Sequence, residues 1–287
     1  PMRAFEYQGT LQCVPQNASS LVVYYNVDHF KQAGLELPND GWSYDEFAKT
    51  AEQLTTDGRH GVGLDLSTIR VGPWVWSAGG ELVDDPVRPT KFQFDTPDAR
   101  RGLQNVIALQ ENGWSPSADE VDAQSVEDRF MEGKLSMFLS SRRDVPVMRQ
   151  IEDFEWDVAP FPVDKEPASV LHSDGFCLAK HDNADAAFKW VEYALGTHGQ
   201  EVLAASGRSV PSIKAVAESP LFLEPTEPPA NSKVFVDALS HMRQLPVTEN
   251  WSEVEGLAND ALEEMFYGRL SLDEGIARIA KETDGRF

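Results

Sequence analysis

The residues of this chain best suited to chemistry are paired guanidiniums, a loop carboxylate and a few tryptophans. Two guanidiniums stand side by side at Arg142-Arg143, just beyond the apolar run Leu135-Ser136-Met137-Phe138-Leu139, which reads as a strand. In an open α/β sheet, ligands sit beyond the carboxyl ends of strands. A guanidinium pair there suits a carboxylate or phosphate, although arginine also donates to hydroxyls and Asp144 is placed to pair with one of the two. Asp174, within His172-Ser173-Asp174-Gly175, either accepts from two neighbouring hydroxyls or caps a turn, and His172 reads as a satisfied polar residue. Trp74 and Trp251 offer flat apolar faces for stacking, with core packing as the equal alternative; Trp76 reads as core.

No catalytic frame accompanies these groups. The sequence holds no G-x-S-x-G elbow, P-loop, H-E-x-x-H pair or dinucleotide fingerprint, and its many carboxylates stand in no recognised acid/base pairing. Cys13 and Cys177 lack the spacing and nearby histidines of a metal or redox site. They read as two buried thiols or, in an oxidising compartment, as a disulfide. Forty-seven acidic against 25 basic side chains give a net charge of −22, which repels nucleic acid and anionic lipid.

The elements that must position these groups alternate between short apolar strands and capped helices, the pattern of α/β layers. Among 287 residues, 41 % hydrophobic content is ample for packed cores. No run is long enough to span a membrane, and Pro1 to Phe5 does not resemble a signal peptide. Leu21 to Tyr25 is the first clear strand. Ser43-Tyr44-Asp45-Glu46 and Ser271-Leu272-Asp273-Glu274 are capping boxes that start helices. The first carries Phe47, Ala51 and Leu54 on one face, and the second carries Ile276, Ile279 and Ala280. Thr96-Pro97 opens another helix that stops at Asn112-Gly113. Trp156 to Pro162 reads as a crossover strand, and Ala187, Phe188, Val191 and Leu195 form the apolar stripe of a helix opening near Asp182. The proline-rich stretch 220–229 interrupts the pattern before three closing helical segments.

Leu21-Val22-Val23-Tyr24-Tyr25-Asn26, with Phe30, Ala33-Gly34 and Gly41-Trp42-Ser43-Tyr44-Asp45-Glu46-Phe47, resembles family 1 of the bacterial extracellular solute-binding proteins, the ligand-capturing subunits of ABC importers. Gly79-Gly80-Glu81-Leu82, Phe130 to Met137, Trp156 to Pro162 and Ala186 to Val191 are similar to later family motifs in the same order, and Arg208 to Pro211 takes the place of a third hinge. The resemblance implies a type II periplasmic-binding-protein fold of two α/β lobes joined by hinge strands. It divides the chain into a remnant of the N-terminal lobe with the first hinge (1–19), the C-terminal lobe (20–155), a second hinge with the returning N-terminal segment (156–208), and the third hinge with the rest of the C-terminal lobe (209–287). Family members begin about a hundred residues earlier, so the first lobe is expected to be incomplete here.

The family's mechanism implies capture of a carbohydrate in the interlobe cleft, without catalysis, cofactor or metal, and delivery to the ABC permease. The implied binding set is Asn17, Ser20, Arg70, Trp74, Arg142, Arg143, Asp174 and Trp251. A monomeric form is the family's implication too, with a periplasmic or cell-surface location and a lipid anchor on the full-length protein. The alternatives are a binder of an anionic solute such as a glycerophosphodiester or uronate, a polyamine binder that uses the acidic excess, a peptide binder, and a carbohydrate hydrolase.

Overall fold

A computed structural model describes residues 2–180, 182–223 and 226–287; His181 and two residues of the proline-rich stretch, Glu224 and Pro225, lie outside it, as does Pro1. Its centre is a four-stranded sheet of β1 (Leu21–Asn26), β2 (His60–Leu64), β3 (Leu135–Ser141) and β4 (Trp156–Ala159), in the order β2-β3-β1-β4. Strand β2 runs parallel to β3, and β1 is antiparallel to both β3 and β4. All six residues of β1 are buried, because both faces of the sheet are covered. Successive side chains point to opposite faces, so Leu21, Val23 and Tyr25 enter one core while Val22 and Tyr24 enter the other.

The first core is closed by helices Thr68–Ser77, Pro97–Glu111, Trp251–Phe266 and Leu272–Thr283. Their starts follow from local chemistry. Both capping boxes form, at Ser43 with Glu46 and at Ser271 with Glu274, and Thr96 accepts from the Ala99 N–H with Pro97 at the first helical position. In the last helix Ile276 and Ile279 are buried as expected, but Ala280 is exposed and Thr283 takes the buried position one turn on.

Two expectations are corrected. Trp156–Ala159 does not leave the sheet: it is the edge strand β4, paired with β1 from Val23↔Ala159 to Asn26↔Trp156, and the prolines that follow end the ladder. The cysteines are not buried thiols. Cys13 and Cys177 form a disulfide, set opposite each other where strand Cys13–Pro15 pairs antiparallel with Gly175–Cys177.

That pair belongs to a group of short ladders beside the main sheet. Asn17–Ala18 pairs with Val210–Pro211, Ser169–Val170 pairs parallel with Met242–Arg243, and a bridge joins Ser19 to His172. A Cβ at Gly175 would sit 2.6 Å from the Phe5 ring, which packs over this ladder. Beyond these ladders, helix Ala184–Leu195 packs against Thr197–Ala205. Of its expected apolar stripe only Val191 is buried, and Phe188, Trp190, Tyr193 and Val202 present their surfaces outward, Trp190 with 58 % of its area exposed.

Candidate functional site

The short ladders and the carboxyl end of β3 converge on a cavity of about 430 Å³. Asn17 reaches it from one ladder strand, Asp174 and His172 from the turn before another, Arg208 and Ser209 from the turn after helix Thr197–Ala205, and Arg70 from helix Thr68–Ser77. Ser141 and Arg143 come from the end of β3 and the single 3-10 turn that follows it. The turn at Arg208 depends on Gly207, whose φ of +75° is one that L side chains rarely adopt.

Asn17 organises one wall. Its Nδ2 donates to Asp174 Oδ2 (3.0 Å) and Ser209 Oγ (3.4 Å), and its Oδ1 accepts from the Asp174 N–H (3.1 Å). The Ser173 hydroxyl donates to the Asn17 carbonyl at 2.6 Å. The side chain of Asn17 is thereby fixed, and Asp174, exposed, keeps Oδ1 without a hydrogen-bond partner among the described residues.

The opposite wall is a relay of charge. Arg70 Nη1 donates to Ser140 Oγ (3.4 Å), that hydroxyl donates to Asp144 Oδ2, and Asp144 Oδ1 accepts from Arg143 Nε (3.2 Å). Burial pushes the Arg70 guanidinium below its ordinary value, with Asp65 and Asp144 acting in the other direction. His172 is pushed down to about 4 by burial and then by Arg70 and Arg143, so its ring is neutral at pH 7. Its Nε2 is buried without a partner, which corrects the reading of His172 as a satisfied residue.

Of the eight residues expected to bind, the cavity brings together Asn17, Arg70, Arg143 and Asp174. Ser20, Trp74, Arg142 and Trp251 do not line it. Ser20 is fully buried between the ladder strand and β1. Trp74 is packed edge-on against Phe161 at 4.8 Å and beside Phe47 at 5.7 Å. Trp251 lies against Phe92 at 5.8 Å and Phe287 at 6.4 Å. Arg142 is 1 % exposed, with its guanidinium 4.1 Å from the Phe222 ring centroid and 4.8 Å from that of Phe235. Arg208 and His172 line the cavity although neither was in the expected set; the available signal for Arg208 was a cation beside glycine in a loop.

A larger cavity of about 780 Å³ lies along Leu171, Pro211 and Met242. Its lining is mostly apolar, with Lys214 paired to Glu218 at 3.5 Å. Converging polar groups that fix a ligand's orientation mark the smaller cavity as the candidate site.

The fold is shared with solved ABC substrate-binding proteins. Superposed on an ABC substrate-binding protein of Listeria monocytogenes solved with cycloalternan, the structure gives a TM-score of 0.90 over 98 % of this chain and 73 % of that one, at 21 % identity. A Mycobacterium tuberculosis protein solved with glycerophosphocholine gives 0.83 over 98 % and 72 %, at 18 % identity. The chain belongs to the family described as bacterial extracellular solute-binding protein, whose model matches residues 2–230. A binding protein of Brucella abortus (strain 2308) is 21 % identical over 286 residues, covering 94 % of this chain and 66 % of its own length. This chain thus spans about two thirds of that relative.

Proposed function

We propose that the protein captures a small hydroxyl-rich solute, a carbohydrate, in the cavity of Asn17, Arg70, Arg143 and Asp174, and hands it to the permease of an ABC importer outside the cytoplasmic membrane. The observation that carries this reading is the Asn17–Asp174 pair: a locked amide presents a carboxylate with one free oxygen to a cavity of about 430 Å³, a volume that suits a small ligand. Family membership and the cycloalternan complex of the Listeria neighbour support it. In this reading the short ladders at 13–18, 175–177 and 210–211 are hinge crossings, the working protein is a monomer held by a lipid anchor, and no chemistry is done on the solute.

The test is thermal melting of the full-length protein with a panel of small solutes, followed by mass spectrometry of the recovered solute. A solute at a hundred times its Kd stabilises the folded state by about 2.7 kcal/mol, several degrees of Tm for a chain of this size. The reading expects such a shift and an intact solute. A cleaved product points to a hydrolase instead, and no shift with any solute contradicts capture.

A further inference from the structure

The cavity's charge is out of keeping with the rest of the molecule. On a chain of net charge −22, it is lined by three arginines, Arg70, Arg143 and Arg208, and a single carboxylate, Asp174. Asp144 stands just behind, with a side chain only 6 % exposed. It takes only Nε of Arg143, so the two Nη groups of that half-exposed side chain have no partner among the described residues. The Arg208 guanidinium is exposed and likewise carries no hydrogen bond or ion pair among them. Among the described residues no tryptophan, tyrosine or phenylalanine lines the cavity, so this wall presents no aromatic face on which a neutral sugar ring would stack.

We propose that the captured solute carries an oxyanion, a carboxylate or a phosphate, which seats on the unpartnered guanidinium groups of Arg143 and Arg208, while Asp174 and Asn17 take its hydroxyls. The inference rests on the capture reading above and narrows it to acidic solutes. The guanidinium fork matches two oxygens of one oxyanion, a geometry that lysine does not reproduce. Charge–charge hydrogen bonds gain most where the donors already lack partners, because no existing pair must be broken to make them. The Arg70–Ser140–Asp144 relay holds Arg143 at one end and leaves its fork open.

The experiment is thermal melting of the full-length protein in low-salt, phosphate-free buffer with glucose and galactose, glucuronate and galacturonate, and glucose 6-phosphate and galactose 6-phosphate. The expected result is a shift with an acidic probe at about one tenth or less of the concentration its neutral counterpart needs. A shift with the uronates alone assigns the oxyanion as carboxylate, and one with the phosphate probes alone assigns it as phosphate. Arg143→Gln and Arg208→Gln each weaken the acidic probe about tenfold and change glucose binding much less. If only neutral probes shift Tm, or if both variants weaken acidic and neutral probes alike, the oxyanion proposal is overturned while capture stands. If no probe shifts Tm, capture falls and this proposal with it.

Discussion

Arg142 and Arg143 are neighbours in sequence with opposite surroundings. Arg142 is sealed between Phe222 and Phe235, donates Nη1 to Ser232 Oγ at 3.3 Å, and leaves Nε without a partner. No carboxylate pairs with it among the described residues, and burial pushes its guanidinium down to about 10. Arg143, one residue on, is half-exposed at the mouth of a polar cavity. The 3-10 turn after β3 separates them: one side chain returns to the core of Val22, Tyr24 and Phe138, and the other faces the short ladders. Identical chemistry is thus packed between rings in one place and open to a cavity in the other, and the surroundings decide which.

The comparison breaks most visibly at Arg142. Arg142→Ala empties the space between two rings and is expected to cost about 3–5 kcal/mol in urea denaturation. Arg142→Met keeps most of the volume without a buried charge and should cost less than about 1.5 kcal/mol. An alanine variant of native stability that no longer binds solute would reverse the roles assigned to the two arginines.

Next in size is the Cys13–Cys177 disulfide, which ties the ladder on the cavity side and leaves the Arg142 sandwich untouched. Paired Cys13→Ser and Cys177→Ser substitutions should lower stability by about 2–4 kcal/mol, since they free a loop of well over a hundred residues in the unfolded chain. Equal melting curves for the oxidised and reduced protein would show that the bond carries no stability.

A smaller effect should appear with pH. His172 has a folded-state value of about 4 against an ordinary 6.5, facing Arg70, Arg143 and Asp174. The unfolded chain therefore binds more protons between those values, so the stability present above pH 6.5 is lost as pH falls towards 4. His172 contributes on the order of 1–3 kcal/mol of that loss. His29, pushed down to about 4 by burial and then by Arg59, adds a loss in the same direction. His172→Gln should flatten part of the slope of Tm against pH between 4 and 6.5; an unchanged slope assigns all of it to His29 and the carboxylates.

The smallest expected change is the stability of Arg143→Gln, about 1 kcal/mol, because the guanidinium is half-exposed and the buried Asp144 that loses it keeps the Ser140 hydroxyl. Paired with a loss of solute binding, that small cost would sharpen the contrast with Arg142.

What the sequence made legible was local. Capping boxes at Ser43 and Ser271, the Thr96-Pro97 start and the apolar run of β1 all form, because their partners lie within a few residues or on a sheet face covered on both sides. Long-range placement was not legible. The order β2-β3-β1-β4, the facing of Cys13 and Cys177, and the Asn17–Asp174 hydrogen bonds join residues far apart in the chain. Nor does spacing tell that Trp74 and Trp251 belong to the core, since a tryptophan that packs and one that stacks on a ligand share the same helical period. The stripe of helix Ala184–Leu195 was legible as apolar but not as exposed, as Phe188 and Trp190 show.

The most direct test is a crystal structure of the full-length protein grown with the solute that raises its Tm most. The account predicts that solute against Asn17, Asp174 and Arg143, in the cavity at the end of β3. Solute in the larger cavity along Leu171, Pro211 and Met242, with the arginine-lined one empty, would contradict it.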